Sequence, residues 1–194
     1  MNFNKQYWEE RYLQENTGWD IGHVSTPLQT YIDQLTDKSI KILIPGAGRG
    51  YEAIYLVEKG FKNVTVLDLA EQPLKEIKDK IPEFSTENLI VGDFFDHSGK
   101  YDLILEQTFF CALNPSKRED YTLKMKDLLK PNGKIAGVLF NFPLTEGGPP
   151  FGSNIDLYKK IFSPYFHIKI LERCYNSIKP RQGSELFFIF ENVN

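Results

Sequence analysis

The chain has 194 residues, of which 41% are hydrophobic. This length fits one domain, spanning residues 1–194, with a core that needs no metal or disulfide bond to hold it together. The formal net charge is −3 and no block of Lys or Arg stands out. That balance argues against binding to nucleic acid or to an anionic membrane surface, which both rely on clustered positive charge.

The two cysteines, Cys111 and Cys174, belong to no CxxC or metal-binding spacing. We therefore expect no metal site and a reduced, cytoplasmic chain. No apolar run approaches the roughly 20 residues of a membrane span, and the N-terminal residues are too polar for a signal peptide. We expect a monomer that does not enter a membrane.

Apolar runs alternate with amphipathic segments along the chain. The apolar runs predict strands at 40–45, 63–69, 87–95, 101–107, 165–175 and 183–192, and a turn feeding a strand at 130–142. The amphipathic segments predict helices at 51–60, 71–82 and 116–129. This alternation predicts parallel βαβ units with right-handed crossovers. The last two runs have no helix between them, so we expect a Rossmann-like α/β fold: a seven-stranded, mostly parallel sheet with an antiparallel last strand and helices on both faces.

Three glycines at alternate positions, Gly46, Gly48 and Gly50, follow the first predicted strand. In an open α/β sheet, ligands bind beyond the carboxyl ends of the strands, where the strand order reverses. A Walker phosphate loop is excluded because Tyr51 and Glu52 follow the last glycine, where Lys and Ser or Thr would be required. A dinucleotide fingerprint would require glycine at position 51, and an acid in the first helical turn opposes a phosphate. An NAD-dependent oxidoreductase remains an alternative of another class.

Acidic residues end the next two predicted strands. Asp68 is placed to hold a ribose diol through a charge-assisted hydrogen bond, and its alternative role is the N-cap of the helix that begins near Glu71. Asp93 could receive an adenine amino group while Phe94 packs on the ring, unless it is an ordinary turn residue. Glycines let the backbone approach a ligand closely. S-adenosylmethionine joins an amino-acid end to a nucleoside and contains no phosphate. The three loops together therefore predict a site for this cofactor.

Motifs that extend over nearly the whole chain carry a resemblance to known proteins. They read YWEERYLQENTGWDIG, ILIPGAGRGYE, VLDLA, VGDFF, ILEQTFFCALNPSKR, LLKPNGKIAGVLF, GGPP and PRQGSELFF. With them the chain resembles class I S-adenosylmethionine-dependent methyltransferases and, more narrowly, the thiopurine S-methyltransferase family with its thiol and halide methyltransferase branch. The glycine turn is a superfamily signal, whereas the GWD, FFCALNP and GGPP segments are much more specific.

The resemblance implies an N-terminal helical lid over residues 1–35 and a catalytic core over residues 36–194. It also implies a set of cofactor-binding residues: Trp8, Tyr12, Trp19, Gly46, Ala47, Gly48, Asp68, Leu69, Asp93, Phe94 and Gln107. The pair Glu106–Gln107 departs from the Asp-Arg or Asp-Tyr pair that is usual in relatives. Phe151 likewise stands where relatives often have tyrosine.

The activity that the resemblance implies is an in-line transfer of the sulfonium methyl group to a small-molecule acceptor, leaving S-adenosylhomocysteine. The acceptor is expected to be a soft nucleophile, namely a thiol, thiocyanate, a halide or a thiopurine. The protein mainly has to align donor and acceptor. A thiolate or halide needs little proton removal once bound, so an obligatory general base is not implied and no catalytic residue is assigned. We expect an apolar pocket to strip water from the acceptor and Arg118 to supply charge; the pocket residues are Trp19, Phe110, Phe140 and Phe142.

Two side chains bear on alternative activities. A methyltransferase acting on oxygen or nitrogen would need a base such as His23, although a lone loop histidine is more often a surface or packing residue. Cys111 has no nearby basic residue to lower its pKa, so it is interpreted as packing and not as a nucleophile. A non-catalytic module that only binds the cofactor is the remaining alternative.

Overall fold

The computed structural model describes residues 3–193. The strands are β1 Ile42–Pro45, β2 Val64–Asp68, β3 Leu89–Val91, β4 Tyr101–Gln107, β5 Leu129–Phe140, β6 Phe166–Arg173 and β7 Glu185–Asn192. The α-helices are α1 Lys5–Leu13, α2 Thr26–Asp33, α3 Tyr51–Glu58, α4 Glu71–Lys80, α5 Arg118–Leu128 and α6 Ile155–Phe162. Within the described residues, no helix is both long and apolar enough to cross a membrane.

The seven strands form one sheet in the order β3-β2-β1-β4-β5-β7-β6. β1 is parallel to β2 and β4, and β7 is antiparallel to both of its neighbours. The expected seven-stranded, mostly parallel sheet with an antiparallel last strand is confirmed. The strand order reverses between β1 and β4, so the general rule for such sheets places a ligand crevice at the carboxyl ends of these two strands.

The core is divided between the two faces of the sheet. In β1, Leu43 packs in a cluster with side chains of α5 and α6, whereas Ile42 and Ile44 pack in a second cluster with α2, α3 and α4. Successive side chains of a strand point to opposite faces, so helices cover both faces, as predicted. This three-layer arrangement leaves the strand ends and their loops to form the site.

Several elements differ from the sequence prediction. β3 is shorter than the apolar run suggests, because a 3-10 turn, Thr86–Asn88, precedes it and a turn follows at Gly92. The expected turn before the fifth strand lies within β5, where Asn132 adopts a φ of 61°. α6 is an additional helix that the pattern of apolar runs does not single out. Its buried Tyr158 and Phe162 lie four positions apart, which places them on one helical face.

The expected lid over residues 1–35 does not behave as one unit. Leu28 and Ile32 of α2 are fully buried in the core, so α2 is part of the packed domain. In α1, by contrast, Tyr12 is the buried side chain. We call residues 3–24, which comprise α1 and the loop leading to α2, the N-terminal cover. Residues 1, 2 and 194 of the predicted domain lie outside the described residues.

Candidate active site

A cavity of about 880 Å³ opens at the carboxyl edge of the sheet. Gly46 after β1, Leu69 after β2 and Thr108 after β4 line one side, and the N-terminal cover lines the other. This volume is within the range of roughly 300–1,000 Å³ that is typical of small-molecule sites. The cavity therefore lies at the switch point of the sheet, where the sequence predicts the ligand.

The glycine turn has a conformation that glycine alone adopts readily. Gly46, Gly48 and Gly50 have φ values of 61°, 51° and 64°, all in the left-handed region. A Cβ atom at Gly46 would lie 2.4 Å from Cδ2 of Phe109, and one at Gly50 would lie 2.3 Å from Cδ1 of Ile77. Backbone conformation thus favours glycine at all three positions, and the ring of Phe109 also requires it by space at Gly46.

Asp68 connects the glycine turn to the loop after β2. Its Oδ2 atom accepts a hydrogen bond from the backbone N–H of Gly48 at 2.8 Å, and its Oδ1 atom accepts one from Ala70 at 2.9 Å. Burial raises the pKa of this carboxyl above its ordinary value. Each carboxylate oxygen keeps a further acceptor position, so Asp68 can still receive hydroxyl groups from a ligand. It does not cap the first turn of α4, because the backbone N–H of Glu71 donates to Glu9 of the cover.

The loop after β3 contributes Asp93 and Phe94 to the cavity wall. The Oδ1 atom of Asp93 accepts a hydrogen bond from the backbone N–H of Phe95 at 2.9 Å, so this residue also stabilises its own turn. Phe94 is largely buried, and its ring centroid is 5.1 Å from that of Phe109. The two residues are therefore fixed in place before any ligand binds.

Aromatic side chains form the underside of the N-terminal cover. The rings of Trp8 and Tyr12 each meet Trp19 edge to face, with centroids 5.5 and 5.8 Å apart. All three residues line the cavity, and their binding to the cofactor stays a prediction. They line the cavity together with Gly46, which has no side chain, so the cavity leaves room for a flat ligand beside the indoles.

A second, smaller cavity of about 60 Å³ adjoins the first and is lined by Ala47, Gly48, Glu52 and Gln107, among others. The Oε1 atom of Gln107 accepts a hydrogen bond from the hydroxyl of Ser25 at 2.7 Å, but its buried Nε2 atom has no partner. An unpaired buried donor costs about 1–3 kcal/mol. Burial also raises the pKa of the Glu52 carboxyl. The small cavity thus offers a free donor and a carboxylate, which complement the carboxylate and ammonium groups of an amino-acid end.

The predicted acceptor residues are only partly brought together. Phe140 lines the large cavity, and Phe142 packs against its ring with centroids 5.0 Å apart. Phe110 is buried in the core and does not line the large cavity. Arg118 is also buried and lies off the cavity wall. Its Nη2 atom donates to the backbone oxygen of Gly152 at 2.9 Å, and its guanidinium stacks over Phe110.

The structure places a different arginine at the cavity. Arg181, just before β7, lines both cavities, and 11% of its side chain is exposed. Its Nη2 atom donates to the backbone oxygen of Trp19 at 2.8 Å. The Nη1 atom has no hydrogen-bond partner, with the nearest carboxylate, that of Glu185, at 3.6 Å. The segment PRQGSELFF marks Arg181 in the sequence, but its position beside Trp19 depends on how the chain folds.

Glu106, the last but one residue of β4, organises the loop that follows it. Its fully buried carboxylate accepts hydrogen bonds from the backbone N–H groups of Phe109 at 2.8 Å and Phe110 at 3.0 Å, and from the hydroxyl of Tyr121 at 2.5 Å. Burial raises the pKa of Glu106 from 4.5 to about 7. In the same loop, burial raises the pKa of the Cys111 thiol, which keeps that group protonated.

Comparisons with solved structures show which proteins share this fold. The 1,6-didemethyltoxoflavin-N1-methyltransferase of Burkholderia thailandensis, solved with S-adenosylhomocysteine, superposes with a TM-score of 0.79 at 17% identity, covering 98% of this chain and 87% of the other. The glycopeptide N-methyltransferase MtfA, also complexed with S-adenosylhomocysteine, gives a TM-score of 0.67 at 13% identity, covering 89% and 91%. The fold is therefore that of the S-adenosylmethionine-dependent methyltransferases.

Sequence comparisons then give the family. Residues 3–194 match the thiopurine S-methyltransferase family, and the chain belongs to that family. The probable thiol methyltransferase 2 of Arabidopsis thaliana is 28% identical over 92% of this chain and 81% of its own length. The thiopurine S-methyltransferase of Bos taurus is 27% identical over 86% of this chain and 78% of its own length. The predictions of an enzyme, of methyl transfer and of S-adenosylmethionine as the cofactor are confirmed.

Proposed function

We propose that this methyltransferase acts on a small soft nucleophile, namely a thiol, thiocyanate, a halide or a thiopurine. Relatives named for thiol, thiocyanate and thiopurine methylation support this acceptor class. The observation that carries the proposal is that Phe140 and Arg181 lie together on the wall of the large cavity, where the Nη1 atom of Arg181 has no hydrogen-bond partner and is 3.6 Å from the carboxylate of Glu185. An apolar wall favours a polarisable acceptor, and the guanidinium favours a negative one.

The cofactor would occupy the end of the cavity beside β1, β2 and β3. Asp68 would hold the ribose, while Asp93 and Phe94 would hold the adenine. The small cavity would take the amino-acid end, where a ligand carboxylate would satisfy Gln107 and an ammonium group would meet Glu52. Bound in this way, S-adenosylmethionine supplies a methyl group on a positively charged sulfur, which is already chemically activated.

The acceptor would bind further along the same edge of the sheet. Phe140 ends β5 and Arg181 precedes β7, and β4 separates both from β1 and β2 in the strand order. Neighbouring strands are about 4.8 Å apart, so Phe140 is displaced along the sheet edge from Asp68 and Asp93, whereas Arg181 also lines the small cavity and borders both proposed ligands. Holding the two reactants in line is worth about 7–11 kcal/mol of the barrier.

Charges along the large cavity support an acceptor that is already ionised. Its described wall contains four basic residues and two acidic ones: Lys5, Arg11, Lys117 and Arg181, with Asp68 and Asp93. Both acids lie at the cofactor end. His23 lines the small cavity, where its Nδ1 atom is 2.7 Å from the backbone oxygen of Val24. His23, the base considered for an alcohol or amine acceptor, therefore lies away from the proposed acceptor end, which disfavours its use as that base.

The acceptor class is tested by measuring methyl transfer from radiolabelled S-adenosylmethionine to iodide, thiocyanate, hydrosulfide, aryl thiols and thiopurines, with a catechol and a primary amine as controls. We expect transfer to one or more of the soft nucleophiles and none to the controls. Transfer to the controls alone would indicate an oxygen or nitrogen methyltransferase. Cofactor binding without any transfer would support a binding module.

We further propose that the protein is a cytoplasmic monomer. Sedimentation equilibrium would test the oligomeric state.

Exchanging each arginine for methionine tests which one serves the acceptor. Arg181→Met is expected to lower kcat/KM for thiocyanate by about 10- to 100-fold, because it removes a charge-assisted contact worth about 1.5–3 kcal/mol. Arg118→Met, the matched control, is expected to lower stability but leave kcat/KM for thiocyanate within about twofold, since that residue lies off the cavity wall. Steady-state kinetics at saturating cofactor gives both values. A large loss in the Arg118 variant alone would restore the sequence-based assignment.

A further inference from the structure

The loop at residues 18–22 brings Trp19 over both cavities. It belongs to the N-terminal cover, whose helix α1 contributes only Tyr12 as a buried side chain and exposes 71% of Leu13. Apolar packing therefore holds this part of the molecule weakly compared with the core helices. Polar contacts to the core have to supply the remaining stabilisation.

Two arginines provide such contacts to adjacent residues of the loop. Arg181 donates to the backbone oxygen of Trp19 at 2.8 Å. The Nε atom of Arg49 lies 2.7 Å from the Oδ2 atom of Asp20. The alignment at that nitrogen is poor for a hydrogen bond, so the second contact is an ion pair. The other carboxylate oxygen of Asp20 accepts from the backbone N–H of Gly22 at 2.8 Å, which fixes the orientation of the carboxylate.

Arg49 occupies an unusual position for a residue that fixes a loop. It lies within the glycine turn, between Gly48 and Gly50, and lines the small cavity together with Asp20. Its guanidinium also pairs with Glu76 of α4. About a quarter or less of each of the three side chains is exposed: 23% for Arg49, 18% for Asp20 and 26% for Glu76. Because these side chains are partly buried, water and salt screen their charges less than they screen a pair on the surface. One guanidinium thus joins the turn that contacts the ligand, the helix after β2 and the loop of Trp19.

We propose that Arg49 is a positioning residue that holds Trp19 over the bound cofactor through Asp20. The inference rests on the proposed placement of the cofactor in this cavity. The ion pair ties the cover to the glycine turn, so the loop cannot move away from the cavity until the Asp20–Arg49 pair breaks. Arg49 thereby governs how long the cofactor product stays bound, without contacting the acceptor.

The chain itself provides a reporter for this loop. It contains two tryptophans, Trp8 and Trp19, and both belong to the N-terminal cover. Intrinsic tryptophan fluorescence therefore reports on the cover alone, with or without ligand. Stopped-flow fluorescence then measures the dissociation rate of S-adenosylhomocysteine, and steady-state spectra of the ligand-free protein show whether the indoles have become exposed to water.

The test compares Arg49→Met, Asp20→Asn, their double variant and Glu76→Gln. Arg49→Met and Asp20→Asn are each expected to accelerate S-adenosylhomocysteine dissociation by about tenfold and to shift ligand-free emission to longer wavelength. The double variant is expected to be no faster than either single one, because both remove the same pair. Arg49→Lys is expected to release S-adenosylhomocysteine more slowly than Arg49→Met does. In Arg49→Met and Asp20→Asn, KM for the cofactor should rise by a larger factor than kcat falls. Glu76→Gln, the matched control, removes the other partner and should stay within about twofold of the wild type.

Three results would overturn the proposal. Arg49→Met could have the dissociation rate and emission wavelength of the wild type, the double variant could release S-adenosylhomocysteine faster than either single variant, or Glu76→Gln could accelerate its release as much as Arg49→Met does. High salt should also accelerate dissociation from the wild type and leave Arg49→Met unchanged. If the wild-type protein fails to bind S-adenosylhomocysteine, the proposed cofactor placement fails. In that case the ligand-free emission spectra still decide whether Arg49 and Asp20 hold Trp19.

Discussion

Asp68→Ala is expected to weaken the binding of S-adenosylmethionine by about 100-fold. The substitution removes the carboxylate proposed to hold the ribose, a contact worth about 1.5–3 kcal/mol. It also frees the backbone N–H groups of Gly48 and Ala70, which Asp68 holds at 2.8 and 2.9 Å. The glycine turn then loses one hydrogen bond to β2, while the bond from the backbone N–H of Ala47 to the oxygen of Leu67 at 3.2 Å remains. Isothermal titration calorimetry on the folded variant measures the loss directly.

Asp68→Asn separates these two effects. Asparagine keeps one side-chain oxygen for a backbone N–H and loses the charge, so we expect an intermediate loss of about tenfold. Asp93→Ala serves as a second comparison at the adenine end. If Asp68→Ala bound the cofactor as tightly as the wild type while retaining the native circular dichroism spectrum, the ribose would have to lie elsewhere.

Glu106→Ala is expected to lower the free energy of unfolding by about 3–5 kcal/mol. It leaves the buried N–H groups of Phe109 and Phe110 and the hydroxyl of Tyr121 without their acceptor. Each unsatisfied buried group costs about 1–3 kcal/mol, and the missing side chain leaves a cavity. Urea unfolding monitored by circular dichroism gives the difference. A loss below about 1 kcal/mol would show that the loop does not depend on this carboxylate.

Glu106→Gln is the matched variant, and it tests the pH dependence. Burial raises the pKa of Glu106 from 4.5 to about 7 in the folded protein, so the folded state holds the proton more tightly than the unfolded state. The resulting stabilisation is complete below about pH 4.5 and is lost as the pH rises through about 7. Glutamine does not titrate, so the stability of Glu106→Gln relative to the wild type should increase over this interval. A difference that stays constant with pH would contradict this assignment.

The strands and most helices could be predicted because their signals are local. β1, β2 and β4 are buried on both faces, which produces short continuous apolar runs in the sequence. The limits of β3 and the helix α6 were harder to predict. A bend at Gly92 ends β3, and loops flank α6 on both sides.

The cofactor end of the site could be predicted because parallel strands bring their carboxyl ends to one edge. Asp68 ends β2, and Gly46 and Asp93 follow β1 and β3, so their proximity follows from the topology. The acceptor end depends on β7, which enters the sheet between β5 and β6 and brings Arg181 beside Trp19. No local pattern encodes that approach. Arg118 was favoured for its motif, whereas the structure buries it against Gly152.

The central claim is that the crevice beyond β1 and β2 binds the cofactor beneath Trp19. A crystal structure of the protein with S-adenosylhomocysteine tests it most directly. We predict the ribose hydroxyls within hydrogen-bonding distance of Asp68, the adenine beside Phe94, and the ligand carboxylate paired with the Nε2 atom of Gln107. Electron density for the ligand at any other surface, or an empty crevice in crystals grown at saturating ligand, would contradict the account.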